Sequence, residues 1–419
     1  MHPMLQRAFN SFVETGTLRI TMANGKTLTL GDGTGRPIGV RFTTHAAELG
    51  VLLDPELQLG QAYMNGTFLV EEGSIADVIE LGMSQEGANS VPHWVRPQSL
   101  ARHLWARLRP LGGAARIRKK VAQHYDELEE QFYSLFLDAD RQYSCAYFEM
   151  PSQSLEEAQS AKKRHIAAKL LVKPGSRVFD IGCGWGSLAF YLAEICSAEV
   201  TGATLSKMQA ARANTRAHAS GLGNRVEFRG DDYREVKGPF DRIVAIEMIE
   251  NIGVGSSDMF FRKCAELLAE DGLMLLQSSV RREGPEITNP FISKYVFPGS
   301  HIPALSELLP AIERAGLLVT DIEFLRLHYA ETLRVWRERF LAHRQDIERL
   351  YDDRFFRAWE FCLSCSEMAF RKQGAVPVQI QMAKRQGVVP ITREYIGSEE
   401  ARLRGIEAED RSALRSRAN

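Results

Sequence analysis

Apolar residues follow two periods along this chain. Near the start they alternate with polar ones, as in Leu18-Arg-Ile-Thr-Met22 and Lys26-Thr-Leu-Thr-Leu30. Asn24-Gly25 separates these stretches, which predicts a β-hairpin, and Ile38-Gly-Val-Arg-Phe42 predicts a third strand. Helical spacing follows around 46–53 and 75–81, the second closed by Gly82. Residues 1–83 therefore read as a small α+β domain that handles lipid or docks. Leu100, Leu104, Leu108 and Leu111 recur at helical spacing inside a linker over 84–123. Residues 126–173 read as largely helical, broken by a polar-aromatic segment over 141–149, after which Ser154 caps a helix. From Val178 strand and helix alternate. Strands are expected at 177–181, 199–203, 225–229, 241–246, 272–278 and 319–325, and helices at 187–195, 206–219, 258–269 and 305–315. That is an α/β, doubly wound, Rossmann-like sheet, which binds ligands at the carboxyl ends of its strands. Helical, aromatic-rich sequence continues over 329–384. The domain is expected to span 124–397, with 398–419 as a frayed, charged tail.

Charge changes the picture in one place. The 419-residue chain has a net charge of −1, so nothing global points to nucleic acid. Between Gly87 and Tyr125, however, eight basic residues and no acidic one are interleaved with Trp94, Trp105 and the leucines. Basic heads beside an apolar face suit an anionic membrane surface; a linker helix packed on the catalytic domain is the other reading. The six cysteines are scattered, as expected of a reduced, cytoplasmic protein. Cys362 and Cys365 lack a second pair for zinc. The N-terminus lacks a signal-peptide pattern, and no run reaches the ~18 apolar residues of a spanning helix, so membrane contact is expected to be peripheral, on the inner face.

Candidate chemistry sits at the strand ends. Arg177–Gly186, RVFDIGCGWG, is a strand running into a turn with Gly182, Gly184 and Gly186. Its G-x-G-x-G spacing, preceded by Asp180, favours S-adenosylmethionine (SAM) over a dinucleotide. Thr204-Leu-Ser206 and Gln209 follow the second strand, Asp231-Asp232 the third, Glu247–Gly253 the fourth, and Gln277-Ser-Ser279 ends the fifth. Hydroxyls and carboxylates at successive strand ends are what an adenosine ribose and adenine amine require.

HYD (124–126), QYSCAYFE (142–149), DIGCGWG (180–186), TLSKMQ (204–209), DRIVAIEMIENIG (241–253), FPGSHIPAL (297–305) and HYAETL (328–333) are motifs in which the chain resembles the cyclopropane-fatty-acid synthase family. The resemblance covers about 115–390. It implies a class I SAM methyltransferase acting on cis double bonds of acyl chains in membrane phospholipids, and a homodimer. It implies SAM contacts from Tyr143, Ser144, Val178, Asp180, Gly182, Gly184, Gly186, Thr204, Leu205, Gln209, Asp231, Asp232 and Ile246, and no metal. It also implies a bicarbonate ion beside the methyl group, held by Cys145, Glu250, Gln277, Ser279 and Tyr329.

Gln277 and Ser279 depart from the family pattern, which has histidine and isoleucine there. In the resembling synthases bicarbonate removes a proton from the transferred methyl and a ring closes. A neutral glutamine carries no positive charge beside that anion. The expected product is then a methyl-branched alkene of the furan-fatty-acid-precursor type. A cyclopropane-forming enzyme is the alternative, and a lipid-binding protein the non-enzyme alternative.

Overall fold

The computed structural model describes residues 13–85, 130–253, 255–285, 288–297 and 300–418. The basic stretch 87–123 and the HYD motif lie outside them. The chain divides into two compact units, one of 1–112, 286–300 and 333–375, the other of 113–285, 301–332 and 376–419.

The first unit holds a four-stranded sheet of β1 (Leu18–Thr21), β2 (Thr27–Leu30), β3 (Ile38–Phe42) and β4 (Phe68–Glu72), in the order β2-β1-β3-β4. The predicted hairpin is β1–β2, while β3 lies parallel to β1. Helices α1 (His45–Leu53), α2 (Pro55–Met64) and α3 (Ile75–Met83) follow. α2 and β4 were not expected from the sequence; Gly60 inside α2 argues against a helix. Packing explains it: a Cβ at Gly60 would come within 2.5 Å of the Phe291 ring and 2.8 Å of Phe361. The same unit contains α13 (Asp353–Lys372), whose Cys362 and Cys365 are buried and free. Its Glu360 accepts a hydrogen bond from Tyr63 at 2.6 Å.

The second unit is a seven-stranded sheet. Its strands are β5 (Arg177–Ile181), β6 (Glu199–Ala203), β7 (Val226–Arg229), β8 (Phe240–Ile246), β9 (Leu268–Arg281), β10 (Leu318–Phe324) and β11 (Ala375–Ala383), in the order β10-β11-β9-β8-β5-β6-β7. β5 to β9 pair in parallel, and β10–β11 is antiparallel. Strand order reverses at β5, between β6 and β8, which is where such sheets open a ligand crevice. Alternate residues feed two cores: Val178 and Val244 face one, Phe179, Ile181, Ile243 and Ala245 the other. A strand covered on both faces loses the polar–apolar alternation of a half-exposed one.

Two expectations are corrected here. Residues 375–383 form β11 rather than helix. Pro377 speaks against an interior strand, yet its carbonyl accepts from the Leu325 N–H at 2.8 Å. The stretch from Ser398, expected as a frayed tail over 398–419, is helical as far as Ala418: α14 runs from Glu394 to Ala418 and buries Leu403 to 1% exposure. Its Glu407 accepts from Arg164 at 2.6 Å and from Tyr191 at 2.7 Å. No helix among the described residues is long and apolar enough to cross a membrane.

Candidate active site

The turn after β5 supplies the first wall of the cleft. Gly186 caps α6 (Ser187–Glu194) with φ 81°, and a Cβ there would sit 2.4 Å from Phe228. Gly184, at φ 53°, has nothing within 4 Å of that point and lines the cleft. It leaves open space against which a ligand can lie close to the backbone.

A strap over 141–149 forms the second wall, and its backbone is pinned from two sides. On one side is α5 (Leu155–Lys169), where Gln159 donates to the Ser144 carbonyl at 3.0 Å and Lys162 to the Ser144 hydroxyl at 2.7 Å. On the other, the first turn of α11 (His328–Ala342) accepts the Ala146 N–H at Thr332 (3.0 Å) and the Phe148 N–H at His328 (2.9 Å). QYSCAYFE and HYAETL, distant in sequence, are thus bonded to each other.

Of the residues implied for SAM, Tyr143, Ser144, Asp180, Gly182, Gly184, Thr204, Leu205, Gln209, Asp231, Asp232 and Ile246 line this cleft. Val178 is in the core and Gly186 packs on Phe228. The Thr204 hydroxyl donates to Gln209 Oε1 at 2.9 Å, leaving the amide N–H groups as donors. Asp232 is held by Arg234 at 2.6 Å. Burial pushes the Asp180 carboxyl up to about 7, with Lys162 opposing. Burial pushes Lys162 down to about 8, opposed by Asp138 and Glu247. A buried acid held near neutrality, beside open backbone, suits a ligand that brings its own positive charge. The cleft fits SAM. Lys162 was missed as a site residue, because only the burial of its face of α5 marks it.

The groups implied for bicarbonate lie behind this cleft. Ile246 of β8 is in register with Gln277 of β9, so Glu247 emerges beside Gln277. Glu247 lines the cleft, adopts φ 49° and accepts from the Cys145 N–H at 2.8 Å, the Gln277 amide at 3.1 Å and the Tyr329 hydroxyl. Gln277 also donates to the Cys145 carbonyl at 3.3 Å, and its own oxygen accepts from Gln379 at 3.0 Å. Glu250 accepts from the Ser279 N–H at 2.7 Å and the Ser278 hydroxyl at 3.0 Å. Burial, then the neighbouring Glu247, pushes Glu250 up to about 8. Its other oxygen is buried without a partner among the described residues. Burial holds the Cys145 thiol well above its usual range, so this residue offers its N–H and not a thiolate.

Cys145, Glu250, Gln277, Ser279 and Tyr329 are thus brought together, but around protein carboxylates. The donors for a bicarbonate ion are taken by Glu247 and Glu250, and an added anion would face both acids. As they stand, these residues do not fit bicarbonate. Glu247 is the site residue that sequence reasoning passed over. Its place, just past the fourth strand and one residue after Ile246, lies in a run shared with Glu250 and singles out neither.

The fold and cleft agree with known proteins. The profile of the mycolic acid cyclopropane synthetase family matches residues 114–380, and a domain of unknown function matches 2–91. A cyclopropane-fatty-acyl-phospholipid synthase of Escherichia coli is 34% identical over 323 residues, covering 77% of this chain and 81% of its own. A tuberculostearic acid methyltransferase of Mycobacterium tuberculosis is 35% identical over 326 residues, 74% of this chain and 75% of its own. The structure of the mycolic acid cyclopropane synthase CmaA1, complexed with SAH and CTAB, superimposes with a TM-score of 0.60 at 30% identity. It covers 66% of this chain and 99% of that one. With the family profile matched over more than half of the chain and a cleft lined by the residues implied for SAM at the point where strand order reverses, this chain belongs to the mycolic acid cyclopropane synthetase family of SAM-dependent methyltransferases.

Proposed function

We propose that this enzyme methylates the cis double bond of unsaturated fatty acyl chains in membrane phospholipids and releases a methyl-branched alkene, the kind of product that serves as a precursor of furan fatty acids. The observation that carries the product assignment is Gln277. Its amide is neutral and engaged at both ends, by Glu247 and Cys145 on one side and Gln379 on the other. No imidazolium stands there to hold a mobile anion against the transferred methyl. The relatives named for fatty acid and tuberculostearic acid methyltransferases support methylation of an acyl chain; the Escherichia coli synthase favours ring closure as the second reading.

When bound, SAM supplies an electrophilic methyl group. The chain does the rest. The strap and glycine turn position the donor, and the aromatic rings of Tyr133, Tyr143 and Trp185 line the cleft. Their faces suit a cation forming on the acyl chain, and exclusion of water keeps that cation from becoming an alcohol. Gas chromatography with mass spectrometry of lipids from cells expressing the chain decides the product. The expected species takes up hydrogen under mild conditions, whereas a ring does not; a cyclopropane as the sole product sinks the assignment.

The basic stretch 87–123 supports peripheral attachment to the inner face of the membrane. Sedimentation with vesicles is expected to show binding when anionic lipid is present, lost as salt is raised. Equal binding to neutral vesicles would count against it.

A further inference from the structure

Glu247 is held in a conformation that a side chain ordinarily avoids. Its φ of 49° lies in the left-handed region, which strains a non-glycine residue. Glycine would make the same turn without strain. The strain is accompanied by convergence: the Cys145 N–H, the Gln277 amide and the Tyr329 hydroxyl all point at this carboxylate, which lines the cleft that holds the donor. These three residues are among those that the resemblance gives to bicarbonate, and here their donors are already used.

We propose that Glu247 is the catalytic base of this enzyme, a carboxylate built into the chain at the place of a bicarbonate ion, so that turnover is independent of bicarbonate. This rests on methylation of an acyl double bond, but not on which product forms. The π pair of the double bond forms the new C–CH3 bond, and the S–CH3 pair stays on sulfur, giving the neutral thioether. The adjacent chain carbon is left as a cation. Glu247 takes a proton either from a chain carbon next to that cation, whose C–H pair becomes the new C=C bond, or from the transferred methyl, whose C–H pair closes the ring onto the cation. The carboxylic acid then returns its proton to water when the product leaves. Burial holds Glu247 above the usual carboxylate range, against the three donors and Lys162, which makes it a stronger base than a surface carboxylate.

The test measures turnover on vesicles of unsaturated phospholipid in buffer stripped of carbon dioxide, with and without added bicarbonate. Wild type, Glu247→Gly and Glu247→Gln are compared. Wild type is expected to run at one rate in both buffers. Both variants are expected to lose at least about 10²-fold in turnover. Bicarbonate or formate is expected to restore at least about tenfold to Glu247→Gly, whose missing side chain leaves room, and nothing to Glu247→Gln, whose amide fills it. Melting temperature and calorimetric binding of S-adenosylhomocysteine identify which variants are folded. A wild-type rate that collapses without bicarbonate overturns the proposal. So does a variant that keeps its rate, or a folded Glu247→Gly that no anion rescues. Product identity from the same reactions separates the two readings. A ring formed at a bicarbonate-independent rate overturns the alkene assignment and supports Glu247 as base; an alkene formed only with bicarbonate does the reverse.

Discussion

Asp180→Asn is expected to weaken SAM binding by about 10²-fold, the ~2–3 kcal/mol lost when one member of a buried charge pair is removed. Asp180 is the penultimate residue of β5, at the point where strand order reverses, 3% exposed and lining the cleft. Its carboxyl stands near neutrality because burial opposes its charge while Lys162 favours it. A ligand cation would complete the pairing that Lys162, itself pushed down to about 8, only begins. Calorimetric titration with SAM measures the effect. An affinity within about threefold of wild type would show that the acid does not meet the ligand. Unfolding is separable from site loss: above pH 7 the ligand-free variant is expected to melt no lower than wild type, since asparagine removes a buried charge rather than a stabilising one.

The second large effect is a loss of ligand-free stability as pH rises from about 5 to about 8. Asp180 and Glu250 have folded-state values near 7 and 8, both above their ordinary carboxyl values. Between the ordinary and the raised value the folded chain binds the proton and the unfolded chain does not. The stability this contributes is present at low pH and is lost as pH rises through the folded value, at up to about 1.4 kcal/mol per pH unit per group. Lys162 acts in a different window. Its folded value is depressed to about 8, so between there and its ordinary value near 10.5 stability rises with pH. Denaturant titrations across pH 5–9 should show the fall, and Glu250→Gln should remove part of the slope while keeping the Ser278 and Ser279 bonds. A wild-type curve that is flat over pH 5–8 would contradict the burial of these acids as charged-state penalties. Bound SAM lowers the value of Asp180 if its cation sits there, so stabilisation by the ligand is expected to grow with pH through 7.

Much of this site was legible because the chemistry sits at strand ends, and strand ends can be read from the change of period. RVFDIGCGWG, TLSKMQ and Asp231-Asp232 each announce a turn after an apolar run, and the fold brings them to one cleft. Lys162 and Glu247 were harder for different reasons. Lys162 looks like any lysine on a helix until α5 turns that face inward against Ser144 and Asp180. Glu247 sits in a run with a second glutamate three residues on, and nothing local says which of the two reaches the cleft.

By itself, the sequence determined the doubly wound sheet, the donor and the family, because each depends on local signals: period, glycine spacing and contiguous motifs. β11 escaped because Pro377 masks a strand whose partners β10 and β9 lie about sixty and about a hundred residues upstream, and α14 because its buried face shows only when Leu403 and Glu407 find the other helices. Only the tertiary structure decided what surrounds Gln277. Three donors from separate stretches, near 145, 277 and 329, meet on Glu247 through register and helix docking. Which carboxylate collects those hydrogen bonds is a property of distance in space, and the order of residues along the chain does not encode it locally.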